Sequence, residues 1–252
     1  EFYASSMNLD LHNIEKLAEF AKEMRRVRLP FSGPDVNRSQ VRFSVERDEN
    51  GAKRVRWALT GIKGVGETAM RDVLEERQQG GAYASFQDFV RRTAGKTLNK
   101  KAYEGLIRAG ALDSLHPNQA EMLKNLDSVL ANATADAKSK NSGQVSLFDF
   151  IPAPVDNERM VSAKEMNRFD LLQGELEMLG FYLTGHPIEE GEDKLARRRG
   201  RATISQALDP RWKPMGRETP IGALLADLRI RTTRKGDPMA ILKLSDPTGL
   251  AE

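Results

Sequence analysis

The sequence contains no cysteine among its 252 residues, which excludes disulfide bonds and metal sites built from thiolates. It also lacks an apolar run of the roughly 18 residues that a membrane-spanning helix needs. The chain starts at Glu1 and shows no signal-peptide pattern. The net charge is only +3, so overall charge gives no argument for a nucleic-acid partner. We therefore expect a cytoplasmic piece of a longer protein, without membrane contact.

The most informative stretch runs from Leu59 to Met70 and reads LTGIKGVGETAM. Two glycines one residue apart tolerate positive φ, so the chain can reverse sharply there. A helical pattern follows them, and the free N–H groups and dipole of a helix start favour a phosphate. A capping turn alone would also explain the glycines. We predict that the turn contacts nucleic-acid backbone through Lys63, Gly64, Val65, Gly66, Glu67 and Thr68.

Helical periodicity covers much of the remaining chain and predicts a mainly α fold with a small β-hairpin near the N-terminus. Asn13, Ser85 and Asn99 are predicted to be helix N-caps. Alternating apolar residues on both sides of a turn at 48–51 predict the hairpin within residues 35–58.

Three further expectations concern the second half of the chain. Pro117 is expected in the first turn of a helix whose pattern fades near Ala133. A capping-box pattern at 162–165 is expected to open another helix, with Phe169 on its buried face. From residue 219 onward the pattern changes to strands, predicted at 221–231 and 239–244.

Charged residues support two interpretations. Between Lys22 and Lys63 there are 11 basic and 5 acidic residues, which form either a solvated face or a phosphate-facing surface beside the turn. The histidines, His12, His116 and His186, are far apart and have no ligand spacing. We therefore predict no metal site and no cofactor in this chain.

A second motif lies in a polar segment flanked by prolines. The adjacent apolar residues Leu147 and Phe148 end the string Gln144-Val145-Ser146-Leu147-Phe148. Such a pair either docks on its own domain or anchors a partner. Composition alone favours docking.

Taken together, five segments resemble, in order, an internal part of the bacterial replicative DNA polymerase III alpha subunit. The glycine-rich string also resembles the hairpin of the helix-hairpin-helix family, which binds nucleic-acid backbone without reading sequence. The five segments are Gly61–Glu67, Asn99–Lys101, Leu106–Asp113, Gly143–Phe148 and Leu179–Pro187.

The resemblance implies an architecture for the whole chain. It implies a helix-hairpin-helix DNA-binding domain followed by a truncated, OB-like β region that binds single-stranded template. It also turns the interpretation of Gln144, Val145, Ser146, Leu147 and Phe148 from docking to a sliding-clamp-binding motif. The implied parts are 1–50, the end of the fingers domain; 51–135, a tandem helix-hairpin-helix domain; 136–160, a linker with the clamp motif; 161–218, a helical connector with a basic segment; and 219–252, the start of an OB domain.

The resemblance also implies what this chain does not do. The family is a DNA-directed DNA polymerase, a nucleotidyltransferase that uses Mg²⁺ held by palm-domain aspartates. No Asp-x-Asp string occurs in this sequence, so we expect it to be inactive alone, and other replicase subunits to bind through regions it does not contain. Two alternatives stay open: a nuclease subunit of repair or recombination, with carboxylates from Asp72, Glu75 and Glu76, and a purely structural helical domain.

Overall fold

The computed structural model describes residues 1–95, 98–141, 160–191, 201–213 and 219–252. The chain divides into two compact units, Glu1–Leu183 and Thr184–Glu252. The first unit is mainly helical, and the second is built on a three-stranded sheet. The predicted class, mainly α with a small β region, is confirmed. Within the described ranges, no helix has the length and apolar character required to cross a membrane.

The first unit combines helices with one small sheet. In the sheet, β2 and β3 are antiparallel and form the predicted hairpin, while β1 pairs in parallel with β3, a pairing that the sequence did not reveal. The strands are β1 (Phe31–Ser32), β2 (Ser44–Arg47) and β3 (Lys53–Arg56). The helices are α1 (Phe2–Leu9), α2 (Ile14–Arg26), α3 (Glu67–Gly80), α4 (Phe86–Thr93), α5 (Lys100–Arg108), α6 (Gln119–Asn141) and α7 (Arg168–Leu179).

The three predicted N-caps are confirmed. Asn13, Ser85 and Asn99 each accept a hydrogen bond from the backbone N–H three residues further along the chain. Each bond satisfies one of the N–H groups that a helix start leaves without a partner. These starts could be predicted because the cap and its helix are neighbours in sequence.

The limits predicted for α6 are wrong. Asn118 accepts a hydrogen bond from the N–H of Glu121, and the helix begins at Gln119, so Pro117 lies before it. The helix also continues past Ala133 to Asn141. Its last turns are rich in alanine and lysine, which favour helix even where no apolar face is repeated.

The predicted start of α7 is also wrong. The helix begins at Arg168 with Asn167 as its cap, and the side chain of Phe169 is exposed rather than buried. Residues 160–167 are not helical because α6 holds their backbone: Asn125 exchanges two hydrogen bonds with Val161. A partner about forty residues away therefore overrides the local capping pattern.

The core of the first unit is centred on Trp57, which is fully buried. The rings of Phe31, Phe43 and Phe181 surround it, with centroid distances of 6.3, 4.9 and 4.8 Å. The indole Nε1–H donates to the carbonyl of Gly61 at 3.2 Å. Gly61 ends the 3₁₀ turn Leu59–Gly61, so this aromatic cluster fixes the position of the glycine-rich string that follows.

The second unit contains strands β4 (Leu224–Thr232), β5 (Pro238–Asp246) and β6 (Gly249–Ala251), all antiparallel in that order. The strands predicted beyond residue 219 are thus confirmed. A short helix over Ile204–Leu208 precedes them, and His186 is buried with its Nε2 2.9 Å from Ser245 Oγ.

Candidate nucleic-acid interface

The glycine-rich string forms a sharp turn that leads directly into α3. Gly64 has a φ of +79°, which favours glycine over any residue with a Cβ. Gly66 has φ −80° and ψ 146°, an extended conformation, and is the N-cap of α3. Of the two glycines, Gly64 alone therefore requires the positive φ that we considered for both.

The start of α3 presents backbone donors to solvent. Gly66 makes no side-chain capping bond, and the N–H groups of Glu67 and Thr68 have no acceptor within the helix. A Cβ added at Gly64 or at Gly66 would meet no atom within 4 Å. The backbone is therefore open to an approaching group, and the helix dipole makes an anion the favoured one.

The six predicted contact residues do not share one environment. Lys63, Gly64, Gly66 and Thr68 are exposed, whereas Val65 lies in the core with 8% of its surface accessible. Glu67 is half-buried, and its carboxylate lies 2.7 Å from the guanidinium of Arg71. The side chain of Val65 thus supports the turn, and the exposed residues around it form the accessible surface.

Two helices that the sequence did not connect with the turn hold it in place. The N–H of Lys63 donates to the carbonyl of Met178 in α7 at 2.8 Å. A Cβ added at Gly105 in α5 would lie 3.4 Å from the Lys63 carbonyl and 3.6 Å from Val65 Cγ2. The turn therefore packs against α5 beside Gly105, at distances where an added Cβ would make ordinary van der Waals contacts.

Part of the local positive charge predicted for residues 22–63 is held in ion pairs. Acidic partners lie between 2.6 and 3.7 Å from five of the eleven basic side chains. These five pairs are Arg26–Glu23, Arg38–Glu46, Lys53–Glu1, Arg54–Asp48 and Arg56–Glu46. These contacts hold five basic side chains of the region against acidic partners within the chain.

Arg42 is another basic side chain of this region, and it lies near enough to the start of α3 for its charge to act on Glu67. The backbone around it is fixed, because Leu59 donates to Gln40 and the N–H of Phe43 donates to Asn8 at 2.8 Å. Its own side chain is exposed and forms no ion pair within the described part of the chain.

The pKa of Glu67 locates the other charges around the start of α3. The hydrogen bond from Arg71 is the largest contribution that lowers this pKa, and the charges of Arg42 and His12 lower it further. These basic side chains come from α3, from the loop before β2 and from the turn between α1 and α2. Together with Lys63, they make the first turn of α3 the positively charged side of the glycine-rich turn.

The carboxylates considered for a nuclease serve other contacts. Glu76 pairs with Arg92 of α4 at 3.2 Å, and Glu75 accepts a hydrogen bond from Gln79. Among the residues that the structure describes, no three or more histidine or acidic side chains are grouped to hold a metal ion. The described donors therefore do not fit the Mg²⁺ that the resemblance implies, and we assign no step to it.

The two histidines of the first unit and the predicted clamp motif complete the list of residues considered from the sequence. His12 is exposed, and His116 lies 3.5 Å from Glu121. The predicted clamp-binding string Gln144–Phe148 lies outside the described residues.

The sequence of this chain is similar to a known motif family and to known bacterial proteins. Residues 28–122 match a family model described as a helix-hairpin-helix motif. The chain is 38% identical to the DNA polymerase III subunit alpha of Caulobacter vibrioides over 250 residues, covering 99% of this chain and 21% of that protein. The protein of the same name from Pseudomonas aeruginosa is 35% identical, with coverages of 100% and 22%. The one from Thermus aquaticus is 33% identical, with coverages of 100% and 20%. The chain thus spans about one fifth of the length of these relatives.

Proposed function

The chain is homologous over its whole length to bacterial DNA polymerase III alpha subunits, and we propose that its glycine-rich turn binds the backbone of duplex DNA. The observation that carries this proposal is the open start of α3, where uncapped N–H groups adjoin Lys63 and Arg42. Contacts of this kind reach phosphate oxygens and carry no base information. The binding is therefore independent of sequence and falls steeply with salt.

We further propose how the parts of the chain divide this work. Residues 51–135 hold the duplex, and residues 136–160 tether the chain to the sliding clamp through Gln144–Phe148. Residues 1–50 form the end of the fingers domain, and residues 161–218 are a helical connector with a basic segment. Residues 219–252 begin an OB-like domain that takes single-stranded template. The clamp and template assignments rest on the resemblance of the sequence motifs.

We propose that this chain contributes DNA binding to the polymerase and not the nucleotidyl-transfer reaction. The nucleotidyl transfer of the whole polymerase needs a carboxylate pair on a metal ion, and the sequence contains no Asp-x-Asp string. Primer extension with Mg²⁺ and all four nucleotides should therefore yield no product with the purified chain. Template-directed extension by a clean preparation would contradict this assignment.

Gly66→Asp gives a direct test of the duplex-binding proposal. Aspartate is a slightly better N-cap than glycine, so the variant should keep its stability or gain about a few tenths of a kcal/mol. Its carboxylate would occupy the N–H groups that the phosphate needs and would repel the phosphate. Anisotropy titrations with a labelled duplex should show binding weakened by about tenfold or more at low salt. Asn50→Asp, at an exposed turn, makes the same change in net charge and should bind almost as the parent does.

The outcomes distinguish the proposal from its alternatives. Equal affinity of the Gly66→Asp and Asn50→Asp variants would show that the turn is not the contact. Binding that does not depend on salt would favour a structural domain, and Mg²⁺-dependent cleavage would favour a nuclease. Gly64→Ala is less informative, because the φ of +79° would strain an alanine and could perturb the turn itself.

A further inference from the structure

Glu67 places a carboxylate in the first turn of α3, the helix start to which the proposed function assigns a phosphate. It is the first residue of α3, directly after the N-cap Gly66. Its carboxylate accepts a hydrogen bond from Arg71 at 2.7 Å. Arg42 and His12 lie near enough for their charges to help lower its pKa, after the larger effect of Arg71. One acidic group thus lies near basic side chains from three different segments.

A DNA phosphate at this helix start would come close to the same cations. The Arg71 side chain has 67% of its surface exposed, so its guanidinium can turn from Glu67 toward an incoming anion. Arg42 is exposed as well, on a backbone that is fixed at both sides. The carboxylate and the phosphate therefore require the same partners, and their like charges repel each other.

We propose that Glu67 competes with the DNA phosphate for Arg71 and Arg42 and thereby limits how tightly this turn holds a duplex. This inference rests on the proposed function, because it assigns a regulatory role within the same site. A carboxylate already in the site returns to the arginines when the phosphate leaves, which lowers the cost of release. The site then holds the duplex firmly enough to retain it and weakly enough to let it move.

The test compares Glu67→Gln with Glu49→Gln in the full chain. Both substitutions add one positive unit to the net charge. Glu49 is exposed in the β2–β3 turn, so its substitution reports the effect of net charge alone. Glu67→Gln should bind a labelled duplex about two- to fivefold more tightly at low salt, as expected for a surface charge pair. The slope of the logarithm of its binding constant against the logarithm of the salt concentration should become steeper by up to about 0.9, the value for one further phosphate contact.

A double-mutant cycle identifies the partner. Arg71→Gln should weaken binding more in the Glu67→Gln background than in the parent, because Glu67 no longer occupies the guanidinium there. Arg42→Gln should weaken binding in both backgrounds. Thermal melting of each variant verifies that α3 is still folded, since losing an acidic residue from a first turn costs only about 0.3–1 kcal/mol.

Two outcomes would overturn the inference. One is equal affinity and equal salt dependence of the Glu67→Gln and Glu49→Gln variants. The other is weaker binding by a Glu67→Gln variant that melts like the parent. The Gly66→Asp experiment keeps the two proposals apart: if Gly66→Asp weakens binding and Glu67→Gln does not tighten it, the competition fails while the duplex contact stands.

Discussion

Substitution of Gly61 tests how the core sets the position of the DNA-binding turn. A Cβ added at Gly61 would lie 2.8 Å from Trp57 Nε1 and 3.1 Å from Phe43 Cζ. Both rings are buried and packed edge to face, with centroids 4.9 Å apart, so neither can move freely. Overpacking of this kind costs about 1–3 kcal/mol. Loss of the hydrogen bond from Trp57 to the Gly61 carbonyl adds about 1 kcal/mol.

We therefore expect Gly61→Ala to lower the free energy of unfolding by about 2–4 kcal/mol, or to lower Tm by roughly 5–15 °C. Gly66→Ala is the matched control, because it adds the same methyl group five residues further on, into open space. Its stability should stay within about 1 kcal/mol of the parent. Urea unfolding followed by tryptophan fluorescence and by circular dichroism measures both variants. Equal midpoints for Gly61→Ala and Gly66→Ala would refute the claim that Trp57 fixes the turn.

Three other predictions concern the clamp motif, the second unit and an ion pair. Leu147→Ala with Phe148→Ala should abolish binding of purified sliding clamp and leave duplex binding unchanged, whereas equal clamp affinity would return both residues to packing within the chain. The second unit should be poorly ordered or self-associate, because Ile230 and other apolar side chains of its sheet are exposed. Ile230→Lys should reduce any concentration-dependent sedimentation. Slow hydrogen exchange across β4 and β5 in a dilute monomer would contradict this prediction. Glu46→Gln should cost about 2–4 kcal/mol at neutral pH, because it leaves the buried Arg56 unpaired. Burial raises the pKa of Glu46, but the nearby Arg56 outweighs this effect and holds the pKa below 4.5. The parent should therefore lose this stabilisation as pH falls through the lowered pKa. If the free energy of unfolding of the variant depended on acidic pH as that of the parent does, the prediction would be contradicted.

The parts of the fold that were predictable depend on local interactions. Asn13, Ser85 and Asn99 cap helices that begin at the next residue, so the cap and its target can be read together. Gly64 could be identified for a similar reason, because the turn and the helix after it are adjacent in the chain. The class of the fold followed from the same local patterns.

The features that were missed depend on contacts between distant segments. The start of α7 was misplaced because Asn125 binds the backbone of Val161. The packing of the turn on Gly105 and Met178 could not be seen in the stretch that contains the turn. Counting charges likewise could not show which basic side chains are held in ion pairs, and one partner, Glu1 of the Lys53 pair, comes from outside the counted region.

Backbone amide chemical shifts give the most direct test of the claim that this turn contacts DNA phosphates. The labelled chain would be titrated with two short duplexes of unrelated sequence. The account predicts that the amides of Gly64, Gly66, Glu67 and Thr68 shift most, in the same direction with both duplexes, and that added salt reverses the shifts. Shifts concentrated in the strands of the second unit, or a pattern that changes with the duplex sequence, would contradict it.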